Sequence, residues 1–377
     1  MKTLRFGVIG CGLMGKEFAS AAARWMHVSE DVTRPEIVAI ADVNPAAREW
    51  FEKNIPSIVF STDDYKELLK RDDVDAVYCA VPHVLHEKIY TDIINAGKHL
   101  MGEKPFGIDK KANTNILKAL EAHPEVFCRC SSEFPFFPAM CEMEKWIREG
   151  RFGKILEIKS SFCHSSDMDL KKPINWKRMI EVNGEYGCMG DLGMHTQHVL
   201  FRYGFLPKRV SAVLTNVIKE RPDGKGGMAA CETYDNATLF CTGEGEDYEY
   251  PIILETKRLS PGSTNDWSIK ITGLDASAYF TTDDPGAFHF LYSNDMEQAW
   301  SRVNIGYKPQ FKSITGGIFE FGFPDAMLQM WVSYMMEFEG KEVTFGCVRP
   351  EETAKSHALI TAALESGREH RTVEIEY

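Results

Sequence analysis

The chain has 377 residues, 44% of them hydrophobic and 26% charged, with a formal net charge of −12. That length suits one or two domains with a sizeable core, and the composition is that of an ordinary soluble globular protein. The acidic balance and the lack of basic clusters argue against a nucleic-acid partner, and no apolar run approaches membrane-spanning length.

The first strand sets the reading frame for the rest. Leu4, Phe6, Val8 and Ile9 make a short apolar run that leads into Gly10-Cys11-Gly12-Leu13-Met14-Gly15, and a helix-forming stretch, 16–26, follows at once. G-x-G-x-x-G between a strand and a helix is a dinucleotide-binding pattern. Gly10 permits the tight turn, Gly12 lets the backbone approach a pyrophosphate, and Gly15 lets the helix pack close to the strand. The helix start, with Leu13 and Met14, offers N–H groups and a positive dipole end to phosphate. A second β-branched run, 36–41, ends at Asp42, where a carboxylate accepts ribose hydroxyls and repels a 2′-phosphate. With Val43 and Asn44 next, the sequence shows no Arg or Lys in reach. NAD is therefore preferred to NADP; the competing reading of Asp42 is a turn aspartate ahead of Asn44-Pro45.

Beyond Asp42, strands and helices alternate. Residues 45–54 read as a helix with Pro at its first position, 58–60 as a brief strand, and 65–70 as a helix capped by 61–64. Residues 75–81 read as a buried strand that brings Ala80 to its end and stops at Pro82. A helix over 86–96 follows, then a strand over 99–101 that runs into Glu103-Lys104-Pro105. A helix over 110–123 and a strand over 126–130 complete a parallel, doubly wound sheet, with ligands at the carboxyl ends of its strands. Cys128 and Cys130 share a face of the last strand. The 10 cysteines form no C-x-x-C pair and read as buried thiols of a reducing compartment. The chain start lacks a secretory pattern, so a cytoplasmic location is expected.

Residues 134–138 (FPFFP) read as a break and a hinge, and 140–148 as an amphipathic helix ended by Gly150. Strands over 155–162, 210–218, 232–241, 250–256, 267–272 and 278–281 then alternate polar and apolar residues, as a half-exposed antiparallel sheet does. One helical insertion covers 191–203, and 223–227 (DGKGG) is a surface hairpin. Two helices, 325–339 and 351–366, close the chain, with Gly340 and Gly367 as their C-caps.

Two stretches carry candidate chemistry. Lys104 stands at the carboxyl end of a parallel strand, facing the ligand crevice. Asp191 and His195 are i and i+4, on one face of a helix, with a proton-transferring imidazole beside a carboxylate. The same spacing also fits a packed structural pair. His195 and His198, or His83 and His86, are spaced for metal, but no third ligand accompanies them and no metal is expected.

Together, GVIGCGLMG, AVPHVLHEKIY, AGKHLMGEKPF, GDLGMHTQHV and ALESGREHRTVEI resemble the glucose–fructose oxidoreductase, inositol dehydrogenase and rhizopine-catabolism (Gfo/Idh/MocA) family. The resemblance implies a Rossmann domain over 1–130 and a C-terminal α/β domain over 131–377. The second domain would carry a large, mostly antiparallel open sheet used for substrate binding and for a homodimer or homotetramer, with the last helices placed on either domain. It implies an NAD(P)-dependent oxidoreductase acting on a sugar, glycoside or cyclitol. Lys104, Asp191 and His195 would be catalytic, and Pro82, His86 and Glu103 would lie beside the cofactor. His164, Trp176 and Arg178 fall where members recruit substrate contacts. The segment 135–138 lacks the arginine many members carry there. The alternatives are a non-catalytic NAD-binding sugar sensor and a reductase of a non-sugar carbonyl or imine.

Overall fold

Gly10 ends the first strand because its backbone takes φ +96°, and a Cβ there would stand 2.3 Å from the Ala80 carbonyl oxygen. The computed structural model describes residues 2–293 and 298–377. The chain divides into two units, the first made of 1–107, 111–137 and 307–351, the second of 108–110, 138–306 and 352–377. The first therefore runs past residue 130 and takes back a late segment that sequence order assigned to the second.

Unit 1 alternates β1 (Thr3–Ile9), α1 (Leu13–Ala23), β2 (Arg34–Ala41), α2 (Pro45–Asn54), β3 (Phe60–Thr62), α3 (Tyr65–Leu69), β4 (Ala76–Cys79), α4 (His86–Asn95), β5 (His99–Gly102), α5 (Lys110–Ala122) and β6 (Cys128–Cys130). The six strands are parallel in the order β3-β2-β1-β4-β5-β6, the doubly wound dinucleotide-binding order. Local chemistry punctuates it. Asn44 caps α2 by accepting from Ala46 N, Asp64 caps α3 by accepting from Lys66 N, and Gly97 takes φ +69° after α4.

Unit 2 holds α6 (Pro138–Arg148), β7 (Ile155–Cys163), α7 (Ile180–Asn183), a π-helical turn (Met189–Gly193), α8 (Met194–Arg202), β8 (Arg209–Thr215), β9 (Glu220–Pro222), β10 (Met228–Ala230), β11 (Asn236–Glu244), β12 (Glu249–Lys257), β13 (Asp266–Gly273), β14 (Ala276–Thr281), β15 (Ala287–Tyr292) and β16 (Ser301–Asn304). After β16 the chain forms α9 (Phe323–Phe338) in unit 1, and then α10 (Pro350–Glu369) and β17 (Val373–Glu374), which lie in unit 2 apart from the first two residues of α10. The large sheet runs β16-β15-β14-β13-β7-β12-β11-β8-β17. Only β7 and β12 pair in parallel; the other described pairs of this sheet are antiparallel. β15 and β16 lie beyond the strands expected from sequence, and β9 and β10 form the hairpin expected at 223–227.

Helix α9 belongs to the first core. Trp331 stacks on Phe18 at 3.9 Å and meets Phe6 and Tyr78 edge-on, so α1, β1, β4 and α9 share one aromatic cluster. The FPFFP stretch is packed too: Phe134, Phe136 and Phe137 are buried against Phe323, Phe345 and Phe321. It is an aromatic anchor of unit 1, and the division between units falls directly after Phe137.

In unit 2, α8 packs on β7, β12 and β13, and α6 on β14 and β15. The inner rows carry Ile158, Phe162, Leu239, Ile252, Leu254, Trp267 and Ile269, all buried. The opposite rows carry Lys159, Ser161, Ser268, Lys270 and Glu255, with an apolar patch at Phe240, its neighbour Ile253, and Val213. Gly340, at φ +72°, follows α9 as expected, but Gly367 caps nothing. Helix α10 runs through it, and a Cβ would come within 2.5 Å of Leu214, so this glycine permits helix and β8 to touch. Among the described residues, no helix is long and apolar enough to cross a membrane.

Candidate functional site

The carboxyl end of β1 is shaped for a dinucleotide by the side chains it lacks. A Cβ on Gly10 would strike Ala80 O at 2.3 Å, and one on Gly15 would strike Gly10 O at 2.4 Å, whereas a Cβ on Gly12 would meet nothing within 4 Å. Two glycines therefore close the turn, and Gly12 leaves its outer side open for a ligand. Helix α1 has neither a side-chain cap on its first N–H groups nor an acidic residue in its first turn. Such an end fits a pyrophosphate. Leu13 is 75% exposed beside it, and Met14 is half-buried.

Asp42 follows β2. Its Oδ2 accepts from Cys11 N at 2.7 Å and its Oδ1 from Asn44 N at 2.8 Å, which orients the carboxylate next to the glycine turn. Arg48 on α2 donates to the Asp42 carbonyl. The expectation that no arginine lies in reach is therefore corrected: α2 folds one back. The preference for NAD then rests on the Asp42 carboxylate itself.

Ala80 and Pro82 follow β4, and Glu103 and Lys104 follow β5, on the half of the sheet opposite the Asp42 end. Glu103 is buried. Its carboxylate accepts from Tyr78 Oη at 2.7 Å and from Ser131, while burial raises its pKa and the Lys104 charge counters that rise. Phe106 takes φ +59°, a costly conformation for a non-glycine residue, and Asn113 Nδ2 donates to its carbonyl at 2.9 Å. His86 departs from the expectation of a residue beside the cofactor. Its ring is fully buried, stacked on Tyr90, with Nε2 3.0 Å from Val81 O and Nδ1 accepting from Gly107 N at 3.4 Å. It braces the turns after β4 and β5 from within.

Glu133, which sequence reading passed over, stands after β6 and is 5% exposed. Burial and the adjacent Glu103 charge push its pKa up to about 7, and Lys104 opposes this. An acid set among Ser131, Ser132, Phe134 and Pro135 was the available signal.

Unit 2 brings its candidates to the ends of the parallel pair β7 and β12. His164 directly follows β7, and Arg258 directly follows β12. The His195 ring packs edge-on against Phe162 at 5.4 Å, His164 packs on the same phenyl ring at 4.7 Å, and Trp267 Nε1 donates to the His195 carbonyl at 3.0 Å. Asp191 lies in the π-helical turn, a geometry common at functional sites. Its Oδ2 accepts from Lys177 Nζ at 2.9 Å and from Arg258 at 3.0 Å. Two cations therefore fix this carboxylate. Neither emerged from motif spacing, although Lys177 lies between the flagged Trp176 and Arg178.

Arg178, expected where substrate contacts gather, points into the interior instead. It is fully buried and tied to Asp167 at 2.8 Å and to Asp235, whose Oδ2 also accepts from Val217 N and Ile218 N. It is a structural pillar behind the site. Trp176 stays half-buried, 5.8 Å from the Lys177 ammonium. His198 lies fully buried on α8, where desolvation lowers its pKa to about 3. Among the described residues, no three His, Cys, Asp or Glu side chains are grouped to hold a metal.

Comparison with known proteins gives these features a family. Levoglucosan dehydrogenase of Pseudarthrobacter phenanthrenivorans is 30% identical over 242 residues, 62% of this chain and 59% of that protein, so the matched region spans about three fifths of that relative. The 2,7-anhydro-N-acetylneuraminate hydratase of Mediterraneibacter gnavus is 24% identical over 359 residues, 90% of this chain and 85% of that one. A solved levoglucosan dehydrogenase in complex with NADH and levoglucosan superposes with a TM-score of 0.87 at 20% identity, covering 100% of both chains, a likeness of fold. The model of an oxidoreductase family with an NAD-binding Rossmann fold matches residues 4–130, and that of the Gfo/Idh/MocA C-terminal domain matches 140–279. With both of its domains matched, the chain belongs to the Gfo/Idh/MocA oxidoreductase family.

Proposed function

We propose that the protein is an NAD-dependent dehydrogenase that moves a hydride between nicotinamide and a carbinol carbon of a sugar, glycoside or cyclitol. The observation that carries this reading is that one chain holds both an open, uncapped dinucleotide turn after β1 and an Asp191–His195 group on the π-helical turn and α8. The related dehydrogenase and its NADH-bound fold relative support it. The dinucleotide supplies the hydride acceptor. The glycine turn and the α1 N-terminus bind its pyrophosphate, and Asp42 takes the adenosine ribose hydroxyls. Lys104 donates a hydrogen bond to the reacting oxygen and stabilises negative charge there. His195 takes the hydroxyl proton. Asp191, held by Lys177 and Arg258, fixes the electrostatic setting of His195. A sensor needs the dinucleotide turn but neither Lys104 nor His195.

The direct test is NADH formation by the purified protein against levoglucosan, hexoses, glycosides and inositols. Turnover on at least one supports the reading. Tight NAD binding with no turnover on any would favour the sensor. We further propose that the chain works in the cytoplasm as a homodimer or homotetramer, with the Val213–Phe240–Ile253 patch of the open sheet face covered by a second copy. Light scattering should then give a multiple of 42.7 kDa, and a monomer at micromolar concentration would contradict it.

A further inference from the structure

The stretch that links β7 to Trp176 has both of its ends on the Asp191–His195 group. His164, its first residue, packs on the Phe162 ring that also meets His195. Lys177, directly after Trp176, bonds Asp191 at 2.9 Å. Between these ends, residues 165–175 form neither helix nor strand, so their path depends on what their backbone groups are bound to. Apolar packing does not fix the crest, where Met168 and Leu170 are exposed. The Asp167 carboxylate gives one anchor, on Arg178 at 2.8 Å. A second arginine holds the backbone. Arg221, in β9 and 1% exposed, donates from Nη1 to Asp169 O at 2.7 Å and to Lys172 O at 3.3 Å, and from Nη2 to Asp167 O. The next residue of β9 adds a backbone bond, since Pro222 O accepts from Ile174 N at 2.8 Å. A buried guanidinium is costly unless its donors are used, and here the loop carbonyls use them. The loop and the arginine therefore hold each other in place.

The hairpin that supplies Arg221 stands apart from the main architecture. β9 and β10 form a two-stranded sheet of their own and do not extend the nine-stranded one. Their tip closes on itself, with Asp223 Oδ1 accepting from Lys225 N at 2.7 Å and from Gly227 N at 2.9 Å. Their base is fastened to the site: just past β10, Glu232 N donates to Arg178 O at 2.9 Å and Thr233 Oγ1 to Lys177 O at 2.8 Å. One hairpin thus grips the loop and the segment that follows it. We infer that Arg221 is a positioning residue for the polyol substrate. By holding the carbonyls of Asp167, Asp169 and Lys172 it sets the path on which the loop carries His164 and Trp176 beside the Asp191–His195 group, and that path selects which sugar, glycoside or cyclitol fits. This inference rests on the dehydrogenase reading, and adds to it the element that shapes the substrate's place.

The test uses Arg221→Met, Arg221→Lys and, as a control for lost charge on the same hairpin, Lys225→Met at its exposed tip. Arg221→Met should raise KM for the best substrate of the panel by about tenfold or more while kcat changes by less than about threefold, with NADH affinity unchanged. Arg221→Lys keeps the charge but not the fork of donors, so its KM should lie between, about threefold above native; it carries the test if Arg221→Met does not fold. Lys225→Met should behave as native. Hydrogen exchange followed by mass spectrometry gives a second readout. In the Arg221 variants exchange should rise across residues 165–175 while β7 and α8 keep their native protection. A native KM in Arg221→Met, a loss that falls wholly on kcat, or faster exchange throughout unit 2 would overturn the inference. If the native protein turns over no polyol, the dehydrogenase reading has failed, and exchange decides separately whether Arg221 holds the loop: a rise confined to 165–175 upholds that hold, and unchanged exchange there overturns it.

Discussion

Around Gly10, Gly12 and Gly15, unit 1 makes its site by leaving side chains out. Around Asp191, unit 2 makes its site by crowding Lys177, Arg178, Asp235 and Arg258 behind and beside one carboxylate. The first is a solution in backbone geometry, in which two glycines are fixed by carbonyl oxygens closer than 2.5 Å to a would-be Cβ. The second is a solution in paired charge, gathered from the residue before β11, the residue after β12 and the segments before and after α7. The two should fail differently. Damage to the first should remove ligand binding at little cost to the second, while damage to the second should first show as lost stability.

The largest expected effect is in the charged region. Asp235→Asn leaves the buried Arg178 guanidinium short of a carboxylate, which should cost about 3–5 kcal/mol in urea unfolding, with NAD affinity per folded molecule unchanged. A loss below about 1 kcal/mol would mean that this network behaves like a surface pair.

In unit 1 the comparable buried charge is Glu133. Its pKa is raised from 4.5 to about 7, so between those values the folded protein keeps a proton that the unfolded chain releases. Stability from this group therefore falls as pH rises from 4.5 to about 7 and is flat above, a loss of about 3 kcal/mol. Glu133→Gln should remove that slope and be more stable than the native protein above the window. An unchanged slope in the variant would place the titration elsewhere. His198 acts in the opposite sense: with its pKa lowered to about 3, the stability it contributes is lost as pH falls from its ordinary value of 6.5 toward 3.

The glycines give a sharper contrast. Gly10→Ala puts a methyl group into Ala80 O at φ +96° and should cost about 2–3 kcal/mol of stability. Gly12→Ala meets nothing within 4 Å, so its melting temperature should stay native while NAD affinity falls about tenfold or more. Equal stability losses in the two variants would contradict the separate roles given to them.

The smallest effect expected is on cofactor choice. Asp42→Ala removes the carboxylate and leaves Arg48 beside the ribose end. NAD should weaken by about tenfold and the preference over NADP should narrow, since an arginine there accommodates a 2′-phosphate. Native protein that bound NADP more tightly than NAD would reverse the reading of Asp42.

The same contrast explains what was legible in the sequence. Gly10, Gly12, Gly15 and Asp42 mark a βαβ unit within one short stretch, because backbone turns need particular residues at particular spacings. The strand alternation of β7 and β11 to β14 was readable for the same reason. Arg258 carries no such mark. It reaches the Lys177 carbonyl across 81 positions, and only the parallel pairing of β7 with β12 brings the two segments together. Arg178 looked like a substrate contact from its position and proved to be a buried pillar, because charge on a sequence does not reveal its partners. Gly367 looked like a cap and proved to be a contact point with Leu214. Lys104 and the Asp191–His195 pair were legible as motifs, because each lies within one short stretch of sequence.

Turnover by Lys104→Ala and His195→Ala on the best substrate tests the central claim most directly. Each should cut kcat by about a hundredfold or more with NAD affinity nearly unchanged, and the double variant should lose far less than the product of the two. A His195→Ala protein with near-native turnover would contradict the account.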